Sequence, residues 1–155
     1  PVAYRLAQDY RARAALVAGH AASAARDHGT AATHYERAAA HFARDPDGWF
    51  RAARAARRAG RFPDAKRLLA EAERRGHPAD PIELERDLIL VQQGVIGTAD
   101  ARLRATVGPT HPDAALVLEA LARGYMLAER WADARKGCEM WRALEPNHPW
   151  PWHWE

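Results

Sequence analysis

Apolar positions along the chain recur at the spacing of a helix face. Trp49, Ala52, Ala53 and Ala56 fall at i, i+3, i+4 and i+7; Leu118, Leu121, Ala122 and Tyr125 repeat that spacing, as do Ala65, Leu68, Leu69 and Ala72. Each set forms one stripe, so each predicts an amphipathic helix that buries it. The nearest approach to a β-branched run is Ile89-Leu90-Val91, whose flanks read as helix. Little or no sheet is expected.

The stripes are punctuated at a nearly constant interval. Gly60-Arg61-Phe62-Pro63-Asp64-Ala65 is followed 34 residues on by Gly94-Val95-Ile96-Gly97-Thr98-Ala99, and 35 residues after that by Glu129-Arg130-Trp131-Ala132-Asp133-Ala134. In each copy a turn precedes a large apolar residue (Phe62, Ile96, Trp131), which is expected to seal a helix hairpin. The alanine three places later lets two helices approach. Pro46, Pro78, Pro112 and Pro146 follow at intervals of 32, 34 and 34, where one hairpin should end and the next begin, because proline suits a helix start and not its interior. Asp80-Pro81 with Glu83 predicts a capped helix start. The expected core contains Trp49, Ala53, Ala65, Ala72, Leu121, Ala122, Tyr125 and Ala134.

With these residues in these places, the chain resembles the tetratricopeptide repeat family. The repeat from Asp47 matches through Trp49, Ala53, Gly60, Phe62, Ala65 and Ala72. The repeat from Ala115 matches through Leu121, Ala122, Tyr125, Trp131, Ala134 and the closing Leu144-Glu145-Pro146-Asn147. Two copies depart further: Ala15 to Gly48 keeps Gly29 and Asp45-Pro46, while Pro81 to Pro112 needs a one-residue shift to turn Leu84, Leu88 and Val91 inward. Trp141 stands where the family has a small alanine, so the packing there must open or the indole must escape. The resemblance implies an all-α fold, a right-handed α-solenoid of about four helix hairpins over residues 1–148, with repeats of about 15–46, 47–79, 80–113 and 114–148.

Leu6, Tyr10 and Ala14 continue the stripe backwards, which predicts a long first helix acting as a cap. Residues 149–155 read as the start of a truncated fifth repeat or as a C-terminal tail. Their Trp150, Trp152 and Trp154 are expected either to fold back on the last hairpin or to dock on another molecule, including a neighbouring copy. The sequence begins at Pro1 rather than Met, which is compatible with an upstream signal, anchor or domain.

Composition narrows the function classes. Alanine makes up about a quarter of the chain, in keeping with helix. Lys and Arg number 23 against 20 Asp and Glu, a net charge of +3, well short of the charge concentration typical of a dedicated nucleic-acid binder. No stretch has the length of a membrane span and no signal pattern is visible. The single cysteine, Cys138, cannot form an internal disulfide, so it neither demands nor excludes an oxidising compartment, and it reads as a packed thiol.

Glycine-rich phosphate loops, HExxH, paired CxxC, CxxCH and GxSxG are all missing, so neither enzyme activity nor a cofactor is expected. Glu71 and Glu73 diverge on their helix. A metal site would need His20, His34 and His41 to converge, and the default reading of these histidines is cap or surface.

Within the resemblance, first-helix residues line a concave surface, and the corresponding places hold His20, Ser23, Arg51, Arg54, Arg58, Glu85, Arg86, Glu119 and Arg123. The centre is rich in arginine, whose guanidinium grips carboxylates through paired hydrogen bonds. This implies a non-enzymatic scaffold that binds a protein or acidic peptide through Arg51, Arg54, Arg58, Glu85, Arg86, Glu119 and Arg123. A solvated face is the alternative for each arginine. The family's carboxylate clamp, built on Lys and Asn, is not reproduced. Two other functions stay open: head-to-tail self-assembly into an oligomer or polymer, and RNA binding, since Ala59 to Pro78 also resembles a pentatricopeptide repeat.

Overall fold

A computed structural model of the chain describes residues 2–42, 44–108 and 111–146, with side chains from residue 5 onward. Eight helices follow one another: α1 (Val2–Ala24), α2 (His28–His41), α3 (Pro46–Arg58), α4 (Phe62–Arg74), α5 (Ala79–Gln92), α6 (Gly97–Thr106), α7 (Ala114–Leu127) and α8 (Trp131–Leu144). No strand occurs among the described residues. The chain divides into two compact units, Pro1–Ile82 and Glu83–Glu155, with the boundary just inside α5. In the first unit α2 packs on α1 and on α3, and α3 on α4; in the second, α7 packs on α6 and on α8.

The boundaries follow from local chemistry. Asp27 accepts a hydrogen bond from the Thr30 backbone N–H at 3.1 Å and opens α2. Asp45 does the same for Asp47 at 3.0 Å, with Pro46 at the first helical position of α3. The expected start of α5 is displaced: the helix begins at Ala79, so Asp80 lies in its first turn.

Five helices end alike. Arg26, Gly60, Gly76, Gly94 and Glu129 all have positive φ, at 60°, 74°, 85°, 81° and 56°. The next N–H in each case returns to the carbonyl five residues back: Asp27 to Ala22, Arg61 to Ala56, His77 to Ala72, Val95 to Leu90 and Arg130 to Tyr125, at 2.8 to 3.1 Å. This is the Schellman closure, which satisfies the free carbonyls of a helix end. The turns that close α1, α3, α5 and α7 extend the 34-residue period to the N-terminal quarter, where the marker is Arg26, while Gly76 closes α4 between two of them. Gly29 instead sits in the first turn of α2.

All eight expected core residues are buried. The shifted α5 stripe also turns inward, with Leu88 and Val91 buried and Leu84 packed against the same cluster. At Gly124 helix α7 comes so close to α5 that a Cβ would lie 2.3 Å from the Val91 carbonyl oxygen.

Other positions differ from expectation. Trp131 does not seal its hairpin: as the first residue of α8 it projects past the helix start and is 61% exposed. Leu6 and Tyr10 lie on the open side of α1, which buries Ala12 instead. Trp141 is accommodated, 1% exposed, with its indole N–H donating to Glu145 Oε2 at 3.0 Å. Cys138 is buried. Trp150, Trp152 and Trp154 lie outside the described residues. No helix among the described residues is long and apolar enough to cross a membrane.

Candidate binding site

Helix α3 carries two faces. Trp49, Ala52, Ala53 and Ala56 are buried, which leaves Arg51, Arg54 and Arg58 at i, i+3 and i+7 on another side. The helix lies close against α2, since a Cβ at Gly48 would meet that of Ala39 at 3.2 Å. This approach brings the three arginines beside the end of α1 and the start of α2. Together they line a cleft of about 310 Å³ with Ser23, His28, Tyr35 and Ala55. Arg51 is exposed, and Arg54 and Arg58 are half-buried.

The cleft wall is held from behind. Tyr35 is buried, its hydroxyl is 3.1 Å from His20 Nδ1, and the two rings meet edge to face. Arg54 lies over the Phe50 ring at 5.8 Å, which restrains its guanidinium. No carboxylate is among the lining residues. The chemistry offered is a row of guanidinium donors with a hydroxyl and an imidazole beside them.

The remaining sequence candidates belong to the second unit and stand differently. Glu85 is 1% exposed, because α5 is buried around most of its circumference, so its carboxylate is not presented to solvent. Arg86 donates to Glu83 at 2.5 Å, and Arg123 pairs with Glu119 at 2.9 Å, both within one helix. Of the nine places mapped from the sequence, the structure therefore gathers Ser23, Arg51, Arg54 and Arg58 on one cleft, with His20 behind it. His28 and Tyr35 were missed. His28 opens α2 two residues after the Arg26 turn, so the Schellman phase, misplaced at Gly29, was the signal that could have found it.

The second unit has its own charged network, and there the charges cancel. Asp100 accepts from the Tyr125 hydroxyl and from Arg104 Nε, while Arg104 and Arg130 lie over the Tyr125 ring at 5.3 and 4.9 Å. Arg130 continues to Asp133 at 2.6 Å. Burial, followed by the bond to Asp100, pushes the Tyr125 phenol up to about 12, and Arg130 holds the Asp133 carboxyl below its usual range. The adjoining cavity of about 170 Å³ is smaller than the roughly 300 Å³ at which small-molecule sites begin. This network locks α6, α7 and α8 together.

Among the described residues no group of three or more His, Cys, Asp or Glu is placed to hold a metal ion. A scan of protein-family models finds no match to this chain, and searches of curated proteins and of solved structures also find none.

Proposed function

We propose that the chain is a non-enzymatic interaction module of the tetratricopeptide type, which holds an acidic peptide or an acidic segment of a protein in the arginine cleft. The observation that carries this reading is the cleft lining: Arg51, Arg54 and Arg58 from one helix face converge on one cleft with Ser23, His28 and Tyr35. Guanidinium groups gathered in a row form charge-assisted, often bidentate hydrogen bonds to incoming carboxylates. The 34-residue recurrence of the Schellman turns supports the repeat reading. Triple charge reversal (R51E/R54E/R58E) should abolish binding of a fluorescently labelled Glu-rich peptide and leave the far-UV spectrum and melting temperature nearly unchanged. Retained binding moves the site elsewhere, and loss of the fold makes the arginines structural.

Exposed apolar residues favour a second reading, head-to-tail assembly. The first unit exposes Leu6, Tyr10 and Val17 along α1, and the second exposes Leu127, Trp131 and Met140. An open-ended contact of this kind leaves a free end after each addition, so oligomer size grows with concentration. Light scattering over a dilution series tests it; a monodisperse monomer at high concentration eliminates it.

A further inference from the structure

The first unit holds another cleft, between α1 and α2, whose lining shares no residue with the arginine cleft. Its volume is about 500 Å³, and Arg11, His34, Arg37 and His41 stand around a floor that includes Ala12 and Ala15. Elsewhere in the described chain several arginines meet a carboxylate: Arg61 meets Asp64 at 2.7 Å, Arg67 meets Glu36 at 2.8 Å, and Arg102 grips Asp87 with two nitrogens. Arg11 and Arg37 are exposed and meet none among the described residues. Asp9 is not among the lining residues, and its Oδ1 bonds His41 Nε2 at 2.7 Å. His34 contributes a buried Nδ1 with no hydrogen-bond partner from the protein, an arrangement that folded chains seldom leave without a ligand or solvent to satisfy it.

We propose that this cleft binds the phosphate group of a small phosphorylated molecule. Arg11 and Arg37 grip two phosphate oxygens, His34 Nδ1–H donates to the third, and the organic part lies along the alanine floor. Two guanidiniums supply more positive charge than one carboxylate uses, and with the imidazole their donors match the oxygens of a phosphate. The volume exceeds what a bare anion fills and falls within the roughly 300 to 1,000 Å³ of small-molecule sites. Small floor side chains let a flat or branched body approach the backbone of α1.

Calorimetric titration of the whole chain with inorganic phosphate and with ribose 5-phosphate tests this, with the ring resonances of His34 followed in parallel. Both probes should saturate a single site, ribose 5-phosphate about tenfold more tightly, and the His34 ring signals should shift with occupancy. Arg11→Gln or Arg37→Gln should weaken each probe about tenfold or more, the size of one lost charge-assisted contact. Arg135→Gln, on the exposed side of α8, should change nothing. Both cleft arginines are exposed, so their variants keep the wild-type melting temperature. The proposal is overturned if neither probe saturates, if binding survives both substitutions, if His34 does not respond, or if ribose 5-phosphate binds no better than phosphate.

Discussion

Gly124 and Gly137, one on α7 and one on α8, should respond to the same substitution with opposite signs. A Cβ at Gly124 would lie 2.3 Å from the Val91 carbonyl oxygen and 2.5 Å from Val91 Cγ1. That is about 1 Å inside ordinary contact. The carbonyl cannot easily move aside, because it accepts the Gly94 N–H at 2.9 Å in the turn that closes α5. Relief requires α7 to withdraw from α5, loosening the contacts of Val91, Val117, Leu121 and Tyr125.

Overpacking costs about 1 to 3 kcal/mol, and a clash this deep against backbone lies at the upper end, about 2 to 3 kcal/mol, against the roughly 1 kcal/mol that alanine gains over glycine in a helix. Gly124→Ala should therefore destabilise by about 1 to 2 kcal/mol. At Gly137 the nearest atoms belong to Ala122 at 3.7 Å, an ordinary contact. Only the helix preference remains there, so Gly137→Ala should stabilise by about 0.5 to 1 kcal/mol. Urea denaturation followed by far-UV circular dichroism measures both. A Gly124→Ala variant as stable as wild type would refute the close approach of α7 to α5.

Other consequences follow from the caps and the tyrosine network. Arg26 and Glu129 hold a left-handed conformation that costs a non-glycine residue about 1 to 2 kcal/mol, partly offset by the entropy of an added glycine. Glu129→Gly should thus raise stability by up to about 1 kcal/mol in the same urea assay, while Glu129→Ala should not. The Tyr125 phenol, raised by burial from its ordinary 10.0 to about 12, keeps its proton in the folded chain over an interval where the unfolded chain has lost it. Its contribution is complete below pH 10 and is lost as pH climbs to 12. Melting curves of wild type and Tyr125→Phe should therefore converge over that window; a constant separation argues against the shift.

Much of the fold was legible because it rests on periodicity. The stripes at Trp49 to Ala56 and Leu118 to Tyr125 set which helix faces are buried, and the 34-residue spacing marks the turns at Gly60, Gly94 and Glu129. The turn at Arg26 is hidden because arginine replaces the glycine that normally marks such a turn, and Gly29 stands close by as a false marker, while Gly76 falls off the period. Trp131, Leu6 and Tyr10 show the converse: an apolar residue on a helix does not reveal which side its neighbour occupies. Trp141 is buried although it stands where the resembled family has a small alanine, its indole N–H satisfied by Glu145 one turn on. The arginine cleft was legible as a row on α3, since i, i+3 and i+7 must share a face. Its far wall, His28 and Tyr35, depends on the angle at which α2 meets α3, which no local pattern encodes. Glu85 was misjudged for a related reason, because α5 is buried on more sides than a single stripe requires.

The central claim is that Arg51, Arg54 and Arg58 form one anion-binding surface in the first unit. Titration of the chain with a Glu-rich peptide, monitored at the arginine Nε–H resonances by heteronuclear NMR, tests it most directly. The three signals should move together along one saturation curve, weakened by added salt as charge pairing requires, while those of Arg86 and Arg123 stay in place. Coherent shifts of Arg86 and Arg123 with silent Arg51, Arg54 and Arg58 would contradict the account, as would the absence of saturation at any resonance.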